Sequence, residues 1–474
     1  MHRATTRAVW LSAVLMTAVC SVRPVGAVSV QAERELGRRF ALAARVELPL
    51  LTDPDIVGYV DRAGQAVVRR LDGSFFDYHF FVVRNAGINA FAVPGGYIYV
   101  HSGLLTRLEN DDELAAVLGH EIAHVHAHHL ARQQEATQLM SYATLLGVLL
   151  SVVQPAIGPL ATAAGAAVQL SYTRGFEQEA DYMGARHMQA AGYDPRAMLD
   201  FLQKLADERR TTPTFVPPYL LSHPLTDERL NHLEAILRTQ QWSARERPHA
   251  SFPLRRVQAL ARARSEPPAE VVAAYRQALK AQPGDATLRY LFGLVCAETG
   301  QFDSAQTALE AARANGVTAA DRELGRLALR SRQPDRARDL LKRAVEADPQ
   351  DAQAFADLAQ AYEKLGETDA ALTAYRRAVE LAPDMESAHH GLAVLAGRAG
   401  QEAEGFYHLA ISSRLRGEYE PALSQFVRAE ALLPGGDFRR ATVAEQIDEL
   451  SDFLRVKNPR TPQPKQAPTP PARR

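Results

Sequence analysis

Ten consecutive residues, His120 to His129, hold five histidines in the stretch HEIAHVHAHH. Neutral imidazoles suit zinc and its neighbours in the first transition row, and a glutamate among them adds a base. The subset His120-Glu121-Ile122-Ala123-His124 has the informative spacing. Residues four apart lie one above the other on a helix, so His120 and His124 can grip a single ion. The helical period turns Glu121 about 100° from His120 and about 60° from His124. It can stay off the ion and still reach a water bound there. Two imidazoles, a base and an open position are what water attack on a peptide carbonyl requires. On a continuous helix His126 and His129 project away from this direction and are expected in solvent. His128 falls two turns from His120, placed to support the site without being a ligand.

A catalytic zinc takes a third protein ligand. In SYTRGFEQEADYMGARHM, residues 171–188, Glu177 and Asp181 are four apart on a helical pattern, and Glu179 points elsewhere. One carboxylate can bind the ion while the other hydrogen-bonds a ligand imidazole and fixes its tautomer. Arg174, three residues before Glu177, is expected to offset the surplus negative charge. Such nitrogen and oxygen donors suit one zinc ion per chain.

The elements that must carry these residues are legible nearby. NDDELAAVLGHEIAHVHAHHLARQQEA, residues 110–136, reads as one helix, acidic at its start and basic later, as the helix dipole favours. AERELGRRFALAARVELPLL is helix-like, whereas FDYHFFVVRN and GGYIYVHSG are rich in aromatic and β-branched residues and read as strands. The turn chemistry of Val93 to Gly96 suggests a hairpin, or a bent edge strand, between INAFAV and YIYV. Residues 141–170 are almost wholly apolar but are cut by Pro155, Gly158 and Pro159 into pieces too short to span a bilayer comfortably. They read as a buried helical hairpin, with a surface that touches membrane or substrate as the alternative.

The C-terminal half is repetitive. Turn signals at Gly300, Gln333, Gly366 and Gly400 are 33, 33 and 34 residues apart, and Pro349 and Pro383 are 34 apart. A helix–turn–helix period of 34 residues, with small alanines at close-packing sites, is the tetratricopeptide signature. Such arrays stack into a solenoid whose concave face binds peptides or proteins.

At 474 residues the chain has room for two folded units, and a net charge of −1 gives no electrostatic footprint for nucleic acid. Arg3 and Arg7, the apolar run Ala8–Val19 and the exit Val25-Gly26-Ala27 have the order of a secretory signal peptide, with an uncleaved membrane anchor as the alternative. Removal of residues 1–27 would leave Cys296 as the one cysteine of the two, so no internal disulfide is expected. The expected division is residues 1–27 signal peptide, 28–250 metallopeptidase domain, 251–435 tetratricopeptide domain, and 436–474 a C-terminal helix with a disordered, proline-rich basic tail.

H-E-x-x-H followed some fifty residues later by R-x-x-E-x-x-A-D resembles the HtpX-type and CaaX-prenyl-endopeptidase-related zinc metallopeptidases. The resemblance implies that Glu177 is the third ligand and assigns Asp181 the family aspartate's supporting catalytic role. It also implies that INAFAVPGGYIYVHSGLL, residues 88–105, contains the edge strand that pairs with an extended substrate. In SHPLTDER, His223 matches a histidine implied to take zinc's remaining position, which would shut the site until it swings away. The implied fold is α+β and mainly helical, a gluzincin-type domain followed by an α-solenoid. Members with repeats behind the peptidase domain are implied to be periplasmic and to degrade misfolded proteins. Their repeats are implied to contact the outer-membrane β-barrel assembly machinery, with peripheral membrane contact and an inner-membrane tether as further options. The competing expectation is a tetratricopeptide chaperone or adaptor whose metal site is structural or permanently shut.

Overall fold

The computed structural model describes residues 29–137, 173–211, 217–239 and 251–457. The expected signal peptide, the apolar run 141–170 and the basic tail after Lys457 lie outside them. No helix among the described residues is long and apolar enough to cross a membrane.

The chain opens with α1 (Val30–Glu47), β1 (Leu50–Leu51), α2 (Pro54–Val68), β2 (His79–Val83), β3 (Ala90–Val93) and β4 (Tyr97–His101). The sheet order is β1-β2-β4-β3, with β2 and β4 parallel and the other pairs antiparallel. The expected hairpin joins β3 to β4, and Gly95 and Gly96 turn it with φ of 86° and 98°. A Cβ on Gly96 would lie 2.2 Å from Asp77 O, so only glycine fits there. Among the described residues β1 and β3 are the two edge strands. Alternation divides the sheet: Val83, Phe91, Val93 and Tyr99 pack on Leu36, Phe40 and Ala44 of α1, while Phe80, Val82, Ile98 and Val100 face the main core.

Next come α3 (Ser102–Leu105), α4 (Asp111–His126), α5 (His129–Thr137), α6 (Arg174–Ala190), α7 (Arg196–Thr211), α8 (Pro218–Ser222) and α9 (Asp227–Thr239). α4 starts firmly: the Asn110 side chain accepts from Glu113 N at 3.0 Å, and three acidic residues occupy the first turn. Every residue from Asp112 to Val125 is buried, so α4 is enclosed by neighbours on all sides.

The single helix expected over 110–136 is two. His128 takes a left-handed φ of 53° and ends α4, and α5 restarts at His129. No glycine or proline marks the break. Instead the His128 ring is held by Glu33 Oε1 at 2.7 Å, a contact from α1 that local spacing does not reveal. His128 therefore supports α1 packing and not the cluster. His129 is fully buried, not solvent-exposed, and His126 is half-buried against His187 with ring centroids 5.8 Å apart.

The solenoid is α10 (Phe252–Ser265), α11 (Pro268–Ala281), α12 (Ala286–Glu298), α13 (Phe302–Ala314), α14 (Ala320–Arg330), α15 (Pro334–Ala347), α16 (Ala352–Leu365), α17 (Thr368–Leu381), α18 (Glu386–Arg398), α19 (Glu402–Leu415), α20 (Tyr419–Leu432) and α21 (Arg439–Lys457). Gly300, Gly366 and Gly400 turn with positive φ, as their spacing predicts, and at the glycine-free second turn, beside Gln333, Arg332 adopts φ 55° instead. Cys296 is buried in α12.

Candidate metal centre

His120, Glu121 and His124 lie on α4, fully surrounded, and Glu177 and Asp181 lie on α6, whose N-cap Thr173 accepts from Phe176 N at 3.3 Å. The two helices touch backbone to backbone. A Cβ on Gly184 would come within 3.0 Å of Gly119 C and His120 N, so glycine at both positions permits the approach that lets carboxylates of α6 reach imidazoles of α4. α8 ends at His223, whose N–H donates to Tyr219 O at 2.9 Å and whose ring stacks on Tyr219 at 4.6 Å.

One ligand atom from each of His120, His124, Glu177 and His223 falls within 4.8 Å of the others, and all four residues are buried. His120 Nε2 is 3.0 Å from His124 Nε2 and 3.2 Å from His223 Nδ1; His223 Nδ1 is 3.0 Å from Glu177 Oε1. Glu177 Oε1 is also 3.4 Å from His124 Nε2. The expected ligands therefore converge, and the fourth joins them. Behind the cluster, His120 Nδ1 lies 2.9 Å from Asp181 Oδ1. A hydrogen on that Nδ1 leaves the Nε2 lone pair directed at the cluster.

Both oxygens of Glu121 are buried with no hydrogen-bond partner among the described residues, and Oε1 lies 3.3 Å from His223 Nε2. A buried carboxylate without donors is costly. Facing Nε2 atoms and under-satisfied carboxylate oxygens make a centre that a divalent cation would complete. Three nitrogens and one oxygen fit zinc.

The charge partner expected at Arg174 is elsewhere. Arg174 is largely exposed and pairs with Glu228 at 3.5 Å. The neutralising cation is Arg229, on α9, whose first turn is capped by Thr226 Oγ1 at 3.1 Å from Arg229 N. It donates to Asp181 through Nε at 2.7 Å and Nη2 at 2.8 Å, and Nη1 pairs with Glu177. Burial would raise Asp181, but Arg229 outweighs it and holds the carboxyl down at about 2. Burial likewise opposes ionisation of Glu177, yet His223 and Arg229 hold it well below the usual carboxylate range. Desolvation pushes His124 well below its ordinary value. For His223 burial is outweighed by Glu177 and Glu121, which raise it. Sequence spacing missed Arg229, although Asp227-Glu228-Arg229 at a helix start, six residues after His223, was the available signal.

A buried His-Glu-x-x-His helix, a partner helix that brings Glu177 and Asp181 against it, and a helical-repeat array behind them define a metallopeptidase domain joined to a tetratricopeptide solenoid. Residues 56–237 match Peptidase family M48, and residues 256–320 and 322–386 match the tetratricopeptide repeat. The chain thus carries an M48 peptidase domain followed by tetratricopeptide repeats. It is similar to the β-barrel assembly-enhancing protease of Yersinia pestis, 40% identical over 211 residues, 43% of this chain and 43% of that one. The protein of the same name from Escherichia coli strain K12 is 37% identical over 210 residues, again 43% of each chain. The mitochondrial metalloendopeptidase OMA1 of Arabidopsis thaliana is 34% identical over 164 residues, 35% of this chain and 32% of that one. The chain thus spans less than half the length of these curated relatives.

Proposed function

We propose that the chain is an exported zinc-dependent endopeptidase that degrades misfolded proteins in the periplasm and assists outer-membrane β-barrel assembly. The observation that carries this reading is the convergence of His120, His124 and Glu177 with Glu121 beside them. Zinc, when bound, polarises a peptide carbonyl and acidifies a water. Glu121 takes that water's proton on a carboxylate oxygen and passes it to the leaving amine. Asp181 keeps the His120 hydrogen on Nδ1, and Arg229 fixes Asp181. The free edge of β3 receives an extended substrate by strand pairing.

His223 is the gate. Its Nδ1 belongs to the donor set while its Nε2 faces Glu121, so one ring occupies both the open position and the base. Its displacement frees both together. The relatives named for β-barrel assembly, the leader-like start and the repeats support a periplasmic setting, with the solenoid contacting substrates and assembly machinery. The enclosure of all four donors also favours a second reading, a chaperone or adaptor with a permanently shut site.

Cleavage of casein or an unfolded outer-membrane barrel, with and without chelator, separates them. Glu121→Gln should lose about 10²–10⁴-fold in rate while still holding zinc. His223→Ala should cleave several-fold faster than the parent. Full activity in Glu121→Gln would remove the base from its role; zinc-loaded parent and His223→Ala proteins that both leave every substrate intact would favour the shut scaffold.

A further inference from the structure

We propose that His129, backed by Glu179, is a positioning residue that holds His124 as an Nε2 ligand. The proposal rests on the reading of His120, His124 and Glu177 as a zinc site. His124 directs Nε2 into the donor set, 3.0 Å from His120 Nε2. An imidazole that ligates through Nε2 carries its hydrogen on Nδ1. That atom lies 2.8 Å from His129 Nδ1, so the hydrogen is donated to the lone pair there. His129 then keeps its own hydrogen on Nε2, which lies 3.2 Å from Glu179 Oε2. Glu179 is held in turn by Arg132 Nη1 at 3.1 Å.

The opposite arrangement defeats the site. A hydrogen on His129 Nδ1 would be donated to His124 Nδ1, forcing the His124 hydrogen onto Nε2 and blocking the ligand lone pair. The carboxylate at the far end of the relay selects against it, because Glu179 Oε2 sits 3.2 Å from His129 Nε2, where its negative charge favours an N–H and repels a bare lone pair.

The ring plane is fixed as well. Phe176 stacks on His129 with centroids 4.5 Å apart and planes 15° apart, and the Arg132 guanidinium lies 4.7 Å above the Phe176 ring. Phe176 and Glu179 both belong to α6, which also supplies Glu177. One helix therefore orients both imidazoles of α4: His120 directly through Asp181, and His124 through His129. The break at His128 makes this possible by returning His129 beneath His124.

The test is zinc affinity of the full chain by competition with a chromophoric chelator, together with the visible spectrum of the cobalt form. His129→Ala should bind zinc about 10–100-fold more weakly than the parent. His129→Gln, whose amide oxygen accepts the same hydrogen bond, should recover most of that loss and restore the cobalt spectrum. Glu179→Gln should fall a few-fold below the parent. Parent-like affinity in His129→Ala would overturn the proposal. So would equal losses in His129→Ala and His129→Gln with lowered melting of the metal-free proteins, the pattern of mere packing. Should His129→Ala fail to fold, parent-like affinity in Glu179→Gln would overturn it too. If His124→Ala holds zinc as tightly as the parent, the metal-site reading falls instead.

Discussion

Arg229 shows how a single residue makes the cluster tolerable in a protein interior. Glu121, Glu177 and Asp181 are all buried against His120 or His223, and three carboxylates without compensation would not stay ionised. The guanidinium fork answers two of them at once, bidentate to Asp181 and paired to Glu177, a geometry lysine cannot copy. Removing one partner of a buried ion pair costs about 3–5 kcal/mol because the other charge is left exposed to a low dielectric. Arg229→Leu should therefore destabilise the metal-free protein by about that much. The zinc-loaded protein should lose less, since the ion's charge takes over part of the neutralisation. Denaturant unfolding with and without chelator reads the difference, and equal losses in the two forms would show that Arg229 and the metal do not share the same carboxylates.

At the scale of elements, the site depends on how closely α4 and α6 approach. Gly184 packs on the backbone of Gly119 and His120, and a Cβ there meets backbone atoms that cannot swing aside. Gly184→Leu should push the helices apart, costing about 1–3 kcal/mol for overpacking. It should also weaken zinc binding more than tenfold, because Glu177 withdraws from the imidazoles. Parent-like zinc affinity in that variant would mean that the ligands reach each other by side-chain adjustment alone. Neither glycine was singled out by sequence, since a small residue inside a helix pattern carries no label of what it touches. What was legible is local: the His120/His124 and Glu177/Asp181 spacings depend on the helix period and appear as expected, as do the β3–β4 hairpin and the repeat turns. What was not legible comes from contacts distant in sequence. The break at His128 needs Glu33, the burial of His129 needs that break, and the charge balance needs Arg229, 48 residues beyond Asp181. A helical wheel extended through the break placed His129 in solvent for that reason.

At the scale of the whole molecule, the solenoid curls back on the peptidase domain. At its start Gln258 donates to Leu105 O and Leu108 O at 3.2 and 2.7 Å. Arg256, also at the start, and Arg322, further along, bind Asp55 at the start of α2, with Arg322 also on Asp351. At its end Tyr419 Oη donates to Leu42 O at 2.6 Å, and Arg45 pairs with Asp384 at 3.0 Å. The Pro383–Asp384 turn of that last contact is anchored by a buried histidine pair. His389 Nε2 donates to Pro383 O at 2.9 Å, and its Nδ1 lies 2.9 Å from His408 Nδ1. This geometry requires neutral rings: His389 carries its hydrogen on Nε2 and accepts from His408 Nδ1–H. Burial pushes His408 down to about 3, reinforced by His389, and lowers His389 in the same direction. The unfolded chain binds these protons near pH 6.5 and the folded chain does not, so the stabilisation is full above about pH 6.5 and is lost progressively as pH falls towards 3. Each pH unit below 6.5 removes about 1.4 kcal/mol for one such ring, hence about 2 kcal/mol for His408 at pH 5. Unfolding by denaturant should therefore shift to lower concentrations between pH 7 and 5, and more steeply in the parent than in His408→Gln, which has no proton to gain. Parallel pH profiles for the two proteins would show that the pair titrates alike folded and unfolded, and that the turn contacting α1 is insensitive to acid.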